Sequence, residues 1–164
     1  MYEDIFQLFN KKRIKYVVVG GIAVNLQGAM RSTADLDIAI ELTASNINKL
    51  FKACSELGYK IKQPIKPSDI YDSVRRETLI KEKFLKAITF YKPRGFEEID
   101  VLVDLIIPFK KMHENADICK IGNLKVCLAS IDDLIKMKSA ILRPLDKIDI
   151  EVLKEIKKIR KKGL

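Results

Sequence analysis

Two aspartates, Asp35 and Asp37, are separated by one residue at the start of the stretch 36–40, whose alternating character predicts a strand. Residues i and i+2 of a strand point to the same face, so the carboxylates are expected side by side, about 7 Å apart along the chain. Two negative charges towards a core are costly unless a cation neutralises them. Carboxylates in this arrangement suit Mg²⁺. Alternatively, both face solvent on an edge strand, or Asp35 caps a turn.

A second feature lies upstream, where the apolar run 16–19 predicts a buried strand that ends in Gly20 and Gly21. Residues 22–27 predict a helix that ends near Gly28. Glycine lets the backbone approach a ligand closely, and a helix N-terminus presents unpaired N–H groups. The pattern therefore predicts a phosphate-binding turn, although glycine pairs at such turns also occur for packing alone. It matches neither the dinucleotide fingerprint nor the P-loop.

The rest of the chain alternates between helical and strand patterns. Predicted helices cover residues 5–9, 47–57, a stretch capped by Ser68 that runs through Val74, and two stretches after Ser130 that Arg143 and Pro144 separate. Predicted hairpins join 87–91 to 99–103, around the turn 92–95, and residues near 118 to 124–128, around Gly122 and Asn123. This mixture favours an α+β (mixed α/β) fold, with a mixed β-sheet flanked by helices and a helical C-terminus.

Together, these residues resemble the signature of the nucleotidyltransferase superfamily of the DNA polymerase β type. That signature is a hydrophobic residue, Gly, then Gly or Ser, nine to thirteen residues, and Asp-hydrophobic-Asp/Glu-hydrophobic. Here Val19-Gly20-Gly21 is followed by thirteen residues and then by Asp35-Leu36-Asp37-Ile38. The form Arg31-x-Thr33-x-Asp35 is similar to a small bacterial and archaeal branch. That branch includes abortive-infection-type toxin and antitoxin proteins and the lincosamide adenylyltransferases.

The resemblance implies a third metal-binding carboxylate on a neighbouring strand. Glu98, Asp100 and Asp104 share the parity of one strand face. Asp100 is the predicted third carboxylate because it is central and its Ile-Asp-Val-Leu context matches the family's strand. Asp104, near the strand end, is the alternative, and Glu98 beside the turn is predicted to be solvated.

The end of the chain also fits the family, so the resemblance covers most of the sequence. Leu134-Ile135-x-Met137-Lys138 followed by Arg143-Pro144-x-Asp146-x-x-Asp149 is similar to the family's closing segment. Two positions depart from that pattern, since Leu142 stands where Gly is usual and Leu145 where Lys is usual. The resemblance implies a single nucleotidyltransferase-like domain over residues 1–164, with helices within 130–162 packing on it.

The implied activity is transfer of a nucleoside monophosphate from an NTP, with ATP as the expected donor, to an unidentified hydroxyl acceptor, with release of pyrophosphate. Asp35, Asp37 and Asp100 would be catalytic and hold Mg²⁺, or Mn²⁺ in its place. The predicted nucleotide-binding residues are Gly20, Gly21, Arg31, Thr33, Lys138 and Arg143. Two of them could instead be structural, because Lys138 could snorkel from a packed helix and Arg143 could close a helix C-terminus.

A second hypothesis is an antitoxin-like or regulatory binding module of the same fold that acts through a protein partner or RNA. Residues 152–164 carry six basic residues against one acidic residue, within a net charge of +9. Such a patch attracts nucleotides or nucleic acid. A lysine-rich helix end is also what the helix dipole favours, and no aromatic residue is interleaved here for base stacking. A homodimer is compatible with the sequence.

The composition excludes other classes of protein. A chain of 164 residues, 48% of them hydrophobic, suits one domain with a core and is too apolar for disorder. No apolar run is long enough to cross a membrane, and the first residues do not resemble a secretory signal. The cysteines, Cys54, Cys119 and Cys127, fit neither a disulfide framework nor a zinc site, so a cytoplasmic protein is predicted. The single His113 argues against zinc and Ser-His-Asp chemistry.

Overall fold

The computed structural model describes residues 2–163, which form helices around one sheet. The strands are β1 (Tyr16–Val19), β2 (Leu36–Ile40), β3 (Lys60–Ile61), β4 (Ala87–Tyr91), β5 (Glu98–Leu102), β6 (Asp117–Ile121) and β7 (Leu124–Leu128). The helices are α1 (Glu3–Lys11), α2 (Gly20–Leu26), α3 (Ala44–Glu56), α4 (Pro67–Tyr71), α5 (Ser73–Lys83), α6 (Phe109–Glu114), α7 (Ile131–Ile141) and α8 (Pro144–Lys161). This composition confirms the predicted α+β fold with a helical C-terminus.

The seven strands lie in the order β3-β4-β5-β2-β1-β7-β6. The pairs β1–β2, β3–β4, β4–β5 and β6–β7 are antiparallel, whereas β2–β5 and β1–β7 are parallel, so the sheet is mixed. Both predicted hairpins, β4–β5 and β6–β7, are confirmed. The inner strand β1 is buried along its whole length, as its run of valines predicts.

The two faces of the sheet have different roles. On one face, Phe6 of α1 stacks on Tyr16 and Phe9 packs edge-on against it. Phe51 of α3 packs edge-on against Phe90. These aromatic contacts form part of the main hydrophobic core. The opposite face is flanked by α2 and α7, with α8 packed on α7, and it remains partly open over β4 and β5. Polar side chains on this open face form the site described below.

One predicted helix was wrong in its start and its extent. The segment after Ser68 is two helices, α4 and α5, and Lys66 rather than Ser68 is the N-cap of α4. Pro67 occupies the first turn of α4, where its missing N–H costs nothing. Asp72 has an extended backbone, and its carboxylate accepts hydrogen bonds from Val74 N and Arg75 N. Asp72 therefore ends one helix and caps the next.

None of the helices within residues 2–163 has the length and apolar character needed to cross a lipid bilayer. Several ion pairs lie along the exposed surface of the basic helix α8. Lys154 pairs with Glu151, Lys158 pairs with Glu155, and Lys157 contacts Asp132 of α7. These pairs are consistent with the interpretation of this segment as a solvated, lysine-rich helix face.

Candidate active site

Asp37 of β2 and Asp100 of β5 are direct partners in the parallel β2–β5 ladder. Neighbouring strands lie about 4.8 Å apart, and residues in register on them point to the same face of the sheet. Both side chains therefore lie on the open face, and both are half-buried. Asp35 precedes the first residue of β2 by one position and is exposed. The three predicted carboxylates thus lie along the edge of the sheet where β2 and β5 begin.

The neighbouring strand β4 fixes the orientation of Asp100. Thr89 lies opposite Asp100 in the antiparallel β4–β5 ladder, and its Oγ1 donates a hydrogen bond of 2.6 Å to Asp100 Oδ1. The alternative third carboxylate, Asp104, lies beyond the end of β5 and is exposed. Glu98 forms an ion pair with Lys62 near the surface, as expected for a solvated residue. The structure therefore puts Asp100, and not Asp104, next to Asp37.

The two glycines let the turn between β1 and α2 approach Asp37 closely. Gly20 has φ +63°, and a Cβ added to it would lie 1.9 Å from Asp37 Oδ2. A Cβ on Gly21 would lie 2.6 Å from Thr33 Oγ1. Any larger side chain would therefore displace the carboxylate or the loop before β2. The backbone of Gly21 lowers the pKa of Asp37, as expected for an amide close to a carboxylate.

The carboxylate of Asp37 is partly desolvated and lies near two other carboxylates. Burial raises the pKa of Asp37 to about 6, with further contributions from the charges of Asp100 and Asp35. The N–H of Gly21 and the ammonium of Lys138 oppose this rise in pKa without cancelling it. Repulsion between carboxylates in a partly desolvated site is relieved by protonation or by a cation.

Whether these carboxylates fit a divalent metal is a question of geometry and of donor chemistry. Among residues 2–163, no three His, Cys, Asp or Glu side chains are grouped closely enough to hold an ion as they stand. The donor set itself, Asp35, Asp37 and Asp100, consists of hard oxygen ligands of the kind that Mg²⁺ and Mn²⁺ prefer. Burial and the neighbouring carboxylates both raise the pKa of Asp37, and a bound cation would oppose that rise. The residues therefore fit Mg²⁺ in their donor chemistry.

A buried ion network connects the loop before β2 to the C-terminal helices. Lys138 Nζ of α7 lies 2.7 Å from Asp149 Oδ2 and 3.3 Å from Asp146 Oδ1 on α8. Arg31 NH1 lies 2.6 Å from the same Asp149 oxygen. Both aspartates are buried. The positive charges of Lys138 and Arg31 are therefore largely committed to these two carboxylates.

Lys138 does not snorkel and Arg143 does not close a helix C-terminus, the two structural arrangements that their sequence positions also allowed. The side chain of Lys138 is only 8% exposed and ends in ion pairs, so it does not snorkel to solvent. Arg143 is the N-cap of α8 rather than a residue closing α7, and its Nε pairs with Asp146 Oδ2 at 3.0 Å. Its side chain is nevertheless 69% exposed, which leaves the guanidinium accessible to a ligand.

Sequence reasoning did not assign a role to Asp146 and Asp149. The signal was present in the x-Asp-x-x-Asp spacing, because residues three apart lie on the same side of a helix. Leu142, which departs from the family pattern, is the C-cap of α7 and has φ +57°. Glycine is favoured in that conformation, so the usual family residue suits this position better than the leucine found here.

All nine predicted site residues line one cavity of about 310 Å³. They are Gly20, Gly21, Arg31, Thr33, Asp35, Asp37, Asp100, Lys138 and Arg143. Leu145 and Asp146 complete the lining. A smaller, mainly apolar pocket of about 110 Å³ adjoins this cavity beside Asp37 and is lined by Met137 and Ile141 of α7. Within the described residues, the buried Nε of Arg31 is a donor without a hydrogen-bond partner.

The fold is similar to that of solved structures, although no family model and no curated protein sequence matches the chain. The lincomycin-bound crystal structure of the lincosamide antibiotic adenylyltransferase LnuA superposes with a TM-score of 0.63 at 18% identity, covering 95% of this chain and 98% of that chain. The solution structure of the antibiotic-resistance factor ANT(2'')-Ia gives 0.59 at 12% identity, covering 93% and 78%.

The crystal structure of ANT(2'')-Ia in complex with adenylyl-2''-tobramycin also gives a TM-score of 0.59 at 12% identity, covering 96% of this chain and 91% of that chain. At these identities the similarity is one of fold, and it extends over nearly the whole chain. LnuA is an adenylyltransferase, and the crystal structure of ANT(2'')-Ia holds adenylyl-2''-tobramycin. The chain therefore has the same fold as these proteins, in agreement with the resemblance that its glycine and aspartate signature carries.

Proposed function

We propose that this protein is a nucleotidyltransferase that moves a nucleoside monophosphate from an NTP to a hydroxyl acceptor. One observation carries the proposal: the nine residues selected from the sequence for this chemistry line a single cavity. They come from five separate parts of the chain, so local sequence patterns alone would not bring them together. The similarity of fold to adenylyltransferases supports the same activity.

In the proposed reaction, the acceptor oxygen forms a bond to the α-phosphorus while the bond to the leaving pyrophosphate breaks. A carboxylate of the cluster accepts the hydroxyl proton. Asp37 and Asp100 would hold Mg²⁺, with Asp35 as the third ligand. When bound, the metal would supply charge neutralisation at the phosphates and activation of the acceptor hydroxyl.

The chain's own residues would orient the nucleotide around this cluster. Thr89 keeps the Asp100 carboxylate turned in a fixed direction through its hydrogen bond. Arg143 is the cavity-lining cation with the most accessible charge, so it is our choice for the contact to a phosphate oxygen. The unpartnered Nε–H of Arg31 is a second donor that a phosphate oxygen would satisfy.

A transfer assay with labelled ATP, GTP, CTP or UTP tests the proposal. The purified protein is incubated with each NTP, with Mg²⁺ or Mn²⁺, and with pools of small hydroxyl compounds, RNA or proteins. Covalent label on an acceptor is the expected result. Asp37→Asn and Asp100→Asn should remove it, whereas Asp104→Asn, an exposed carboxylate just beyond β5, should retain it.

Transfer that survives in an Asp35→Asn/Asp37→Asn double variant would refute the assignment of these acids. Failure of the wild type to transfer label to any pool, combined with recovery of a stoichiometric protein partner, would instead favour the regulatory hypothesis. The acceptor pool that becomes labelled identifies the acceptor class.

A further inference from the structure

The hydroxyl of Tyr2 bridges the beginnings of the two strands that carry the carboxylates. Its oxygen lies 2.6 Å from Ala34 O, just before β2, and 2.9 Å from Glu98 O at the start of β5. It also accepts a hydrogen bond of 3.2 Å from Glu98 N. A hydroxyl has one proton, and the shorter contact to Ala34 O takes it. Tyr2 thus donates to the β2 side and accepts from the β5 side.

The conformation of Tyr2 is held by its surroundings. The residue is 2% exposed and lies at the N-cap of α1. Its φ of +65° is left-handed, which costs roughly 1–2 kcal/mol for a residue with a Cβ. Ile5, Phe6 and Phe9 anchor the following helix in the core. This strained backbone conformation places the phenol ring between the first residues of β2 and β5.

The hydroxyl of Tyr2 joins the two strands at the end of the β2–β5 ladder that carries the facing carboxylates. The β2–β5 ladder begins with Leu36 opposite Ile99, directly after the atoms that Tyr2 contacts, and the next pair is Asp37 opposite Asp100. Like charges placed directly opposite each other on neighbouring strands destabilise the pairing. The carboxylates therefore oppose strand pairing at the end of the ladder, where it would otherwise fray first.

From these contacts we propose that Tyr2 is a positioning residue that fastens β2 to β5 and so sets the separation of the Asp37 and Asp100 carboxylates for a divalent cation. The ring packs in the core, and the hydroxyl fastens β2 to β5 through its hydrogen bonds. The part of this inference that concerns the cation rests on the proposed function. The part that concerns the strands does not depend on it.

The variant Tyr2→Phe tests the inference because it keeps the ring and removes only the hydroxyl. Tyr59→Phe is the matched control, since Tyr59 is also buried and its hydroxyl donates to Glu97 Oε2 at 3.0 Å without joining β2 to β5. Mn²⁺ affinity is measured on the whole protein without nucleotide, by electron paramagnetic resonance. Amide hydrogen exchange is measured over residues 36–38 and 99–101.

In Tyr2→Phe, Mn²⁺ binding should weaken by about threefold to tenfold, as expected for the loss of a fixed hydrogen bond, and the amides should exchange faster by a similar factor. Tyr59→Phe should leave both quantities at the wild-type level. Equal behaviour of the two variants in both measurements would overturn the inference. Wild-type Mn²⁺ affinity in Tyr2→Phe, with loss of binding in Asp37→Asn, would overturn the metal-positioning claim and leave the proposed function intact.

An unchanged Mn²⁺ affinity in Asp37→Asn would count against the metal site in the proposed function. The exchange measurement would then decide the structural claim alone. Faster exchange in Tyr2→Phe than in Tyr59→Phe would support the fastening of β2 to β5, and equal exchange would refute it.

Discussion

Asp37 and Asp100 lie opposite each other in the parallel β2–β5 ladder, and the charge of Asp100, added to burial, raises the pKa of Asp37. In the metal-free protein this pair is a source of instability. The same pair makes the site attractive to a cation. Binding chemistry and folding stability are therefore in conflict at this position.

The first prediction is that Asp37→Asn stabilises the metal-free protein at neutral and alkaline pH. The pKa of Asp37 is about 6 in the folded protein against an ordinary value of 3.8, so the folded state binds more protons between these values. Asp37 therefore lowers stability as the pH rises through this window. One pKa unit corresponds to about 1.4 kcal/mol, so the variant should gain roughly 1–3 kcal/mol at pH 8 and about nothing below pH 4.

Urea unfolding with EDTA across this pH range measures the effect. Asp104→Asn serves as the control because its carboxylate is exposed, and it should show no gain that depends on pH. A destabilised Asp37→Asn protein at pH 8 would contradict the electrostatic explanation.

The second prediction concerns Gly20, where two constraints act together. Gly20 and Gly122 have φ values of +63° and +57°, so alanine at either position carries a similar backbone strain of roughly 1–2 kcal/mol. Only Gly20 has a neighbour in the way, Asp37 Oδ2, whereas nothing lies within 4 Å of a Cβ on Gly122. Gly20→Ala should therefore lose NTP binding, measured by calorimetry, while Gly122→Ala loses stability alone. Equal NTP affinity in the two variants would refute the close approach.

The third prediction is that Asp149→Asn destabilises the protein strongly. Asp149 is 3% exposed and neutralises both Arg31 and Lys138, so its loss leaves buried positive charge with fewer partners. Removing one member of a buried ion pair costs about 3–5 kcal/mol. Glu155→Gln, which breaks an exposed pair on the same helix, should leave the midpoint of thermal unfolding unchanged. Similar midpoints for the two variants would argue against a structural role for the network.

The fourth prediction is that Thr89→Val lowers transfer activity by about tenfold, because Asp100 loses the hydroxyl that orients it. Valine has nearly the same shape, so the β4–β5 pairing should persist. Thr89→Ser restores the hydroxyl and should recover most of the activity. A Thr89→Val protein with full activity, or a Thr89→Ser protein as weak as Thr89→Val, would show that this hydrogen bond does not matter.

Local patterns were sufficient for the parts of the site that lie close together in the chain. The two glycines after β1 and the i, i+2 spacing of Asp35 and Asp37 follow from the geometry of single elements. The position of Asp100 opposite Asp37 depends on which strand pairs with β2 and in which register. Asp100 could be predicted as the third carboxylate only from the resemblance to a family, because strand order is a property of the whole sheet.

The ion network and the split of the 68–74 helix show where such reasoning stops. Asp149 gains its two partners only when α8 packs beside α7 and the loop containing Arg31, and Asp146 gains Lys138 in the same way; no local pattern encodes this packing. The 68–74 segment divides into two helices because the Asp72 side chain accepts hydrogen bonds from the first amides of α5, which ends α4 at this residue. Ser68 was a plausible cap by type, but Pro67 already occupied the first helical position.

The shared carboxylate of Asp149 also constrains how proteins of this fold can be recombined. Its two cationic partners belong to distant segments, Arg31 before β2 and Lys138 on α7. One carboxylate on α8 therefore neutralises charges from both the loop and the preceding helix. A chimera that received its last two helices from another protein would need an acid at the position of Asp149. Without it, the guanidinium of Arg31 in the recipient loop would lose its counter-ion, which destabilises the protein.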